Sequence, residues 1–389
     1  MKKVPHRGFE KNEFEARMQR IQDRMFSAKM DAILLTTEPE IRYFTGFFSQ
    51  FWESPTRPWF VLLPLSGKPI AVIPEIGATG MAATWVDHIH TWPAPQPKDD
   101  GLSLLGSVIN SLRCRYGRLG VPMGHESFLR MPLGDYARLT DMLPSFEIID
   151  ASEDIHWVRY IKSSAEIEKI SYICQIASDS FEALPTFTKA GDSEREICKR
   201  MRIDLLKRGA DSIPYLISGS GQGGYDSIIM GPTDRTQSPG DVLIIDTGAT
   251  FDGYFCDFDR NFAFEHANDS VRRAYTTVYA ATDAGLAAAK PGATTSEIWL
   301  AMWRIMENGG AQGNNIGRLG HGLGMQLTEW PSNTEKDGTP LETGVILTLE
   351  PGMEFAPGKQ MVHEENILIT EDGAELLSRR APAELPIIG

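Results

Sequence analysis

Apolar residues near the start of the chain recur at helical spacing, and short apolar runs follow them. Four of them lie on one face of a helix predicted over residues 13–29: Phe14, Met18, Ile21 and Met25. The segments DAILLTT, LGVPM and FEIIDA predict strands, and WFVLLP and IAVIP, separated by LSGK, predict a hairpin. SLLGSVINSLRCRY predicts a further helix and HTWPAPQPKDDG a surface loop. A mixed α/β domain is therefore expected over residues 1–155.

A second domain is predicted over residues 156–389. Its first long helix begins with a capping box formed by Ser163 and Glu166. The remaining elements follow in chain order: a helix in GDSEREICKRMRIDLLKRG, strands from Ile213 to Phe264, helices over 269–289 and 295–308, and strands in GVILTLE and ENILIT. The last of these helices is expected to be capped by Thr295 or Ser296. The predicted fold class is α/β (α+β).

Composition narrows the choice of partner and compartment. The 389 residues are too many for one simple core, which agrees with two domains. A net charge of -14 argues against nucleic acid or an anionic membrane surface as partner. The four cysteines form no C-x-x-C pair, and neither a leader peptide nor an apolar window of membrane-spanning length is found. A cytoplasmic protein is expected.

The segment IIDTGATFDGYFCDFDR places carboxylates within apolar strands. DVLIID is a strand that ends at Asp246, and YFCDFDRNFAF is a strand that contains Asp257. A turn centred on Asp252-Gly253 would set Asp246 diagonally across from Asp257, and a turn one residue earlier would set them face to face. Either register puts both carboxylates on one face, where they repel unless a proton or a metal ion lies between them.

The alternative is that these carboxylates are exposed turn or edge residues. That interpretation is favoured for Asp252, which lies in the turn itself. Asp259 shares the face of Asp257 but lies two residues further along the strand, so both interpretations stay open for it.

Further candidate ligands follow downstream. His321 lies between two glycines, which permit a close approach of the backbone, although a lone histidine is more often structural. Glu350 ends the apolar run GVILTLE, and Glu364 precedes the run ENILIT. Four carboxylates with one imidazole suit two divalent ions such as Mn, Co, Fe or Zn better than Mg. Such a pair activates a water molecule and polarises a carbonyl oxygen.

The order of these residues resembles that of the pita-bread metallohydrolases. An Asp, a second Asp eleven residues later, Gly-His-Gly, Glu-Pro-Gly and a Glu before an apolar strand occur in that order. The group includes methionine aminopeptidase, aminopeptidase P, prolidase and the metal-free creatinase. KSSAEI and PTDR with GDVLIID add to the resemblance, and residues 1–155 look like the N-terminal domain of the creatinase/prolidase type, which methionine aminopeptidase lacks. A C-terminal pita-bread catalytic domain and a homodimer are the implied architecture.

The resemblance also implies roles for the candidate ligands. Asp246 would chelate one metal ion, Asp257 and Glu364 would bridge two, and His321 and Glu350 would complete the second. Glu350 would also accept a proton from the attacking water. Manganese is the first expectation for the metal, with Co, Fe or Zn as alternatives. The intact carboxylate set argues against creatinase activity.

The chain departs from the family pattern at three positions. Ile229 and Thr328 stand where the family's peptidases carry two further histidines, and Val362 stands where an arginine is usual. Those imidazoles hydrogen-bond the scissile amide and its tetrahedral intermediate, and the loss of one such donor typically costs about 10² to 10³ in rate. Glu329 matches a family glutamate and is a second catalytic candidate.

The substrate-binding candidates are these two replaced positions and three further residues. Tyr225 lies in the glycine-rich segment GQGGYDS and could donate a hydrogen bond. Trp52 or Arg57, in an aromatic segment, could cap the site of a dimer partner. His363 lies beside Glu364 in a strand and should point to the opposite face.

Three functions remain open from the sequence. The first is a dimetal hydrolase of a C–N amide bond in an Xaa-Pro-type dipeptide or a small compound. The second is a metal-dependent lyase that abstracts a proton from a small zwitterion. The third is a non-enzymatic binding protein, which the intact ligand set disfavours. Release of proline from dipeptides would support the first, and a product with a new double bond the second.

Overall fold

The computed structural model describes residues 3–313 and 317–389, which divide into two compact units. The N-terminal unit is His6–Arg159, and the C-terminal unit begins at Tyr160 and includes the short N-terminal segment up to Pro5. The predicted boundary at residue 155 falls inside a helix, Ser152–Tyr160. The division therefore lies at the end of this helix.

The N-terminal unit is a mixed sheet with helices. Its elements are α1 (Lys11–Ala28), β1 (Ala32–Leu35), α2 (Glu38–Thr45), β2 (Phe60–Pro64), β3 (Ile70–Pro74), α3 (Ala78–Ala82), β4 (His88–Trp92), α4 (Leu102–Ser111), β5 (Arg118–Val121), α5 (Leu133–Met142), β6 (Glu147–Asp150) and α6 (Ser152–Tyr160). The six-stranded sheet has the order β4-β3-β2-β1-β5-β6. Apolar side chains of α4 and α5 pack with those of β1, β2 and β5 in a buried core.

Two predictions for this unit can be compared with the structure. The predicted hairpin is confirmed, because β2 and β3 pair antiparallel with Phe60 opposite Val72. The predicted loop HTWPAPQPKDDG is wrong over its first three residues, which belong to β4 and pair parallel with β3. Trp92 is buried, so this end of the segment belongs to the core instead of the surface.

The C-terminal unit combines two five-stranded sheets with helices. Its elements are α7 (Ser164–Ala183), α8 (Glu194–Arg208), β7 (Ser212–Gln222), β8 (Asp241–Phe251), β9 (Tyr254–Phe255), β10 (Phe258–Phe264), α9 (Asp269–Ala288), α10 (Thr295–Asn308), β11 (His321–Gly322), β12 (Glu329–Ser332), β13 (Ile346–Leu349), β14 (Gly352–Ala356), β15 (Lys359–Val362), β16 (Glu365–Thr370), β17 (Gly373–Leu376) and β18 (Ile387–Ile388). One sheet has the order β18-β10-β8-β7 with β9 against β8, the other β12-β11-β13-β16-β17, and β14 pairs with β15.

Local hydrogen bonds explain where the helices of this unit begin. The capping box of Ser163 and Glu166 is present at the start of α7. The cap of α10 is Thr294, one residue before the predicted pair, and it forms a capping box with Glu297. The Thr295 hydroxyl instead donates to the Asp337 carbonyl at 2.6 Å, so it is not available to the helix end.

The carboxylate-bearing strands adopt the first of the two registers considered. Phe251 pairs with Tyr254, so the turn is centred on Asp252-Gly253. In the same register Asp259 lies directly opposite Asp246, which leaves Asp257 diagonal to Asp246. Asp252 occupies the turn as predicted, with φ +49°. Its carboxylate is not simply exposed, however, because it accepts a bond at 2.8 Å from the buried ammonium of Lys169.

Candidate metal centre and active site

The five predicted metal ligands come from separate elements and meet at one cavity. Asp246 lies within β8, Asp257 just before β10, and His321 in β11. Glu350 follows β13 and Glu364 precedes β16. All five line a cavity of about 380 Å³. Each of these side chains lies in a strand or directly beside one, and the paired backbone makes the arrangement rigid.

The imidazole of His321 is oriented towards the carboxylates. Its Nδ1 lies 2.8 Å from the Gly322 carbonyl oxygen, so Nδ1 carries the proton and Nε2 keeps its lone pair. Nε2 lies 3.4 Å from Oδ2 of Asp257. Burial lowers the pKa of His321 to about 3, so the ring is neutral and this contact is not an ion pair. A neutral imidazole with a directed lone pair is the form that binds metals.

Glycines beside His321 allow this close approach. A Cβ on Gly320 would collide with the Thr348 carbonyl oxygen, and φ at Gly320 is +124°. A Cβ on Gly322 would overlap the backbone of Glu329 and Trp330. Each glycine of the Gly-His-Gly sequence is therefore required for a steric reason, because a side chain at either position would collide with the backbone of a neighbouring segment.

Several carboxylate oxygens of the cluster are buried without a hydrogen-bond partner among the described residues. Three buried oxygens have no hydrogen-bond partner among the described residues: Oδ1 of Asp246, Oδ1 of Asp257 and Oε1 of Glu364. Leaving such groups unsatisfied costs free energy, about 1–3 kcal/mol each and more when they are charged. Ligand atoms of Asp257, His321 and Glu364 lie within 4.8 Å of one another, close enough to share a cation.

The raised pKa values of the carboxylates also indicate that the cluster binds cations. Burial raises the pKa of Asp246 to about 7. Burial and the charge of Asp246 raise the pKa of Glu350 to about 8. Burial and neighbouring carboxylates raise the pKa of Asp257 and of Glu364 well above the usual range. Ionising all four carboxylates together at neutral pH is unfavourable without added positive charge, and the oxygen-rich donors with one imidazole fit two divalent ions.

The structure places several other predicted residues away from the cavity lining. Glu329 accepts a bond at 3.2 Å from the ammonium of Lys162, and both side chains are buried. It does not line the cavity, so its contacts are those of a buried structural ion pair. Asp259 is buried opposite Asp246 but also lies off the lining, 3.4 Å from the Asn261 amide.

Tyr225 and His363 likewise form hydrogen bonds with other residues of the protein, and neither lines the cavity. The Tyr225 hydroxyl donates to Oδ1 of Asn261 at 2.9 Å and accepts from the Val362 amide at 2.8 Å, and the side chain is 1% exposed. Tyr225 thus fixes the backbone just before Glu364 instead of facing the cavity. His363 points away from the cavity, as predicted, and contacts the Thr282 hydroxyl and the Arg380 guanidinium.

The remaining candidates divide between the two units. Ile229 and Thr328 both line the cavity. Trp52 lies in a 3₁₀ turn of the N-terminal unit with the Arg130 guanidinium 5.4 Å from its ring. Arg57 adopts φ +56°, and its guanidinium lies 5.0 Å from the Phe51 ring. A role for Trp52 and Arg57 at the site of a partner stays a prediction.

Among the cavity residues that sequence reasoning did not single out, two bear on the chemistry. Tyr215 of β7 lines the cavity with Asp246 and lowers the pKa of that carboxyl against the larger effect of burial, and burial raises the pKa of Tyr215, which keeps the phenol protonated. Arg318 lines the cavity and donates to Oγ1 of Thr328 at 3.0 Å. A signal for Arg318 existed, because it is a cation three residues before a candidate metal ligand. The position of Tyr215 in the cavity could not be predicted without the register of β7 against β8.

Similarity to known proteins agrees with this geometry. Residues 168–371 match metallopeptidase family M24, and residues 17–161 match the creatinase/prolidase N-terminal domain. The chain belongs to metallopeptidase family M24. The predicted resemblance to the creatinase, prolidase and pita-bread group is confirmed, and so is the fold of a creatinase-like domain followed by an M24 domain. As an M24 protein it is a metal-dependent hydrolase of the peptidase type.

Individual M24 relatives share sequence or fold over most of the chain. The chain is 29% identical over 366 residues to an uncharacterized peptidase, YqhT, of Bacillus subtilis, covering 92% of this chain and 96% of that protein. It is 30% identical over 258 residues to an Xaa-Pro dipeptidase of Pyrococcus furiosus, covering 66% of this chain and 73% of that protein. The solved structure of a prolidase from Thermococcus sibiricus has a TM-score of 0.87 at 22% identity, covering 98% of this chain and 100% of that one. Dipeptidase PepE from Mycobacterium ulcerans has a TM-score of 0.85 at 22% identity, covering 98% and 99%.

One further prediction from composition can be compared with the structure. Within residues 3–313 and 317–389, none of the helices is both long and apolar enough to cross a membrane.

The raised carboxylate pKa values predict how metal should affect stability. A group whose folded pKa exceeds its unfolded value stabilises the protein below about pH 4 and loses that contribution as pH rises through the folded value. For Asp246 and Glu350 the loss falls between about pH 4 and their folded pKa values of about 7 and about 8. Bound cations remove this penalty. The gain in Tm on adding Mn²⁺ to the metal-free M24 protein should therefore increase with pH.

This prediction is checked by thermal unfolding in EDTA and in Mn²⁺ at several pH values from about 5 to about 8. Comparing the two series at each pH cancels titrations elsewhere in the protein. An Mn²⁺-induced gain in Tm that stays constant across this range would contradict the assigned cluster.

Proposed function

We propose that this M24 protein hydrolyses a C–N amide bond in a small substrate of the Xaa-Pro dipeptide type, with two divalent ions, manganese first. The observation that carries the proposal is the convergence of five ligand side chains on one cavity of about 380 Å³. Ligand pockets for small molecules typically have volumes of about 300–1,000 Å³. The similarity to an Xaa-Pro dipeptidase supports the peptide class.

The cavity residues have two proposed roles, metal binding and proton transfer. Asp246, Asp257, His321, Glu350 and Glu364 would hold the ions, which supply a water molecule of lowered pKa and a polarised carbonyl when bound. Tyr215, which lines the cavity with Asp246, would donate a hydrogen bond to this ligand carboxylate. Glu350 accepts a proton from the attacking water and passes it to the leaving nitrogen.

The lining also bears on how well ordinary peptides are cleaved. Ile229 and Thr328 face the cavity where the resemblance implies two histidines. Cleavage of common Xaa-Pro dipeptides should therefore be slower than in M24 peptidases that carry both imidazoles. The homodimer and the cytoplasmic location belong to the same proposal, the first supported by resemblance alone and the second by the cysteine pattern.

The test is metal analysis of the purified protein together with a product screen. Dipeptides such as Ala-Pro, Ala-Ala and Leu-Pro and small amides would be incubated with Mn²⁺-loaded and EDTA-treated protein. Release of free amino acids only in the loaded sample supports hydrolysis. A product with a new double bond would instead identify a lyase. Vigorous Xaa-Pro cleavage would show that other donors replace the imidazoles.

A further inference from the structure

Arg318 is the cationic side chain among the described residues that line the cavity. Its Nη2 donates to Oγ1 of Thr328 at 3.0 Å, and its Nη1 lies 3.4 Å from Oγ of Ser332. Ser332 is the last residue of β12 and Thr328 immediately precedes that strand. Two hydroxyls on one rigid strand segment therefore hold the guanidinium against the cavity wall.

The charge of Arg318 reaches the metal-ligand cluster. It lowers the pKa of Asp257 and of Glu350 against the larger effect of burial, and it adds to the lowering of the pKa of His321. These three ligands come from different elements, so the guanidinium faces the place where they converge. The Arg318 guanidinium is therefore placed to contact a substrate that lies against the metal ligands.

The two positions expected to carry imidazoles cannot supply equivalent donors. Ile229 is apolar and 75% exposed. Thr328 accepts a hydrogen bond from Arg318 and keeps its own O–H, but its side chain is shorter than that of histidine and carries no ring nitrogen. The cation thus occupies the side of the cavity where one of the two imidazoles is missing.

We propose that Arg318 is a catalytic residue that donates a hydrogen bond to the scissile carbonyl oxygen as it becomes an oxyanion. This role rests on the proposed amide hydrolysis. The water oxygen bonds to the carbonyl carbon while the carbonyl π pair moves to oxygen, where the guanidinium stabilises it. The pair then returns, the C–N bond breaks, and the nitrogen takes the proton held by Glu350. Arg318 transfers no proton, and its charge persists at every working pH.

The main test compares Arg318→Met, Arg318→Lys and the double variant Arg318→Met with Thr328→His, using Ala-Pro and Mn²⁺. Arg318→Met should lower kcat by about 10² to 10³ with KM changed less than about threefold. Thr328→His in that background should restore kcat at least about tenfold and add a pH limb near about 6.5, where imidazole titrates. The matched control is Arg304→Met, on the exposed side of α10, with unchanged kcat.

Other outcomes would overturn the proposal. A loss of bound Mn²⁺ or of Tm equal to the loss of kcat would make Arg318 structural. A loss confined to KM, present for Ala-Pro but absent for its C-terminal amide, would make Arg318 an anchor for the substrate carboxylate. Failure of the imidazole to rescue the Met variant would also count against a donor role.

A binding measurement keeps the inference testable if no amide is cleaved and the proposed function fails. The probe is the phosphinate isostere of Ala-Pro, whose tetrahedral anion resembles the addition intermediate. The Mn²⁺-loaded wild-type protein should bind it about 10- to 100-fold more tightly than Arg318→Met, whereas Ala-Pro itself should bind both alike. Equal phosphinate affinity in the two proteins would exclude an oxyanion contact.

Discussion

Asp257→Asn is expected to abolish most metal binding by this M24 protein. One oxygen of Asp257 is buried without a partner among the described residues, and the other lies 3.4 Å from Nε2 of His321. In the proposed centre this carboxylate bridges both ions, so its neutral amide weakens both sites together. Loss of an outer-shell partner typically costs about 10- to 100-fold in metal affinity, and loss of a bridging ligand should exceed that.

The measurement is Mn²⁺ content after equilibrium dialysis, with Tm in EDTA as a second readout. Asp259→Asn is the matched control, because Asp259 is also buried beside Asp246 but does not line the cavity. Burial raises its pKa well above the usual range, so the charge that the amide removes there is already disfavoured. The control should keep its metal. Full Mn²⁺ content in Asp257→Asn would reject the assigned centre.

Asp257→Asn should stabilise the metal-free protein, although it should destabilise the protein in Mn²⁺. Asp257 is a buried carboxyl surrounded by other carboxylates, and ionising it is costly in the folded state. Asparagine removes that titration. In EDTA at about pH 8 the variant should therefore unfold at a higher temperature than the wild type, while in Mn²⁺ the order should reverse.

Local signals in the sequence were sufficient to predict much of the fold and to single out the candidate ligands that line one cavity. The alternation around Asp246 and the Asp252-Gly253 turn determined the strand pairing, because a two-residue turn leaves few registers. The glycines flanking His321 indicated close backbone approach, which the contacts at Gly320 and Gly322 explain. These features depend on residues near one another in sequence.

Features that depend on distant residues were not predicted. Glu329 follows Thr328 directly, yet strand alternation turns its carboxylate away from the cavity to Lys162, which is 167 residues distant in sequence. Tyr225 appeared to be a donor for substrate, but its hydroxyl is occupied by Asn261 and the Val362 amide. Arg318 and Tyr215 became visible as cavity residues only after the strands were paired. Tertiary contacts, not local pattern, decide where these four side chains lie.

Glu350→Gln is expected to separate metal binding from turnover. Glu350 follows the buried strand β13, and its amide donates to the Leu319 carbonyl at 3.1 Å, so its backbone is fixed at the cavity. Burial and the charge of Asp246 raise its pKa to about 8 in the metal-free protein, and bound cations would offset this rise, so that the ionised carboxylate is available to accept a proton. Glutamine keeps the shape and one oxygen ligand but cannot accept the proton of the attacking water.

The variant should bind substrate, retain at least part of its Mn²⁺, and turn over about 10²- to 10⁴-fold more slowly. Metal content and kcat must be measured on the same preparation, because loss of metal alone would also slow turnover. Glu375→Gln, on the exposed face of β17, is the control for removing a carboxylate and should behave as wild type. Near-normal kcat with full metal in Glu350→Gln would reject Glu350 as the base. Because Glu329 is paired with Lys162 and lies off the lining, the next carboxylate to test would then be Asp226, which faces the same cavity.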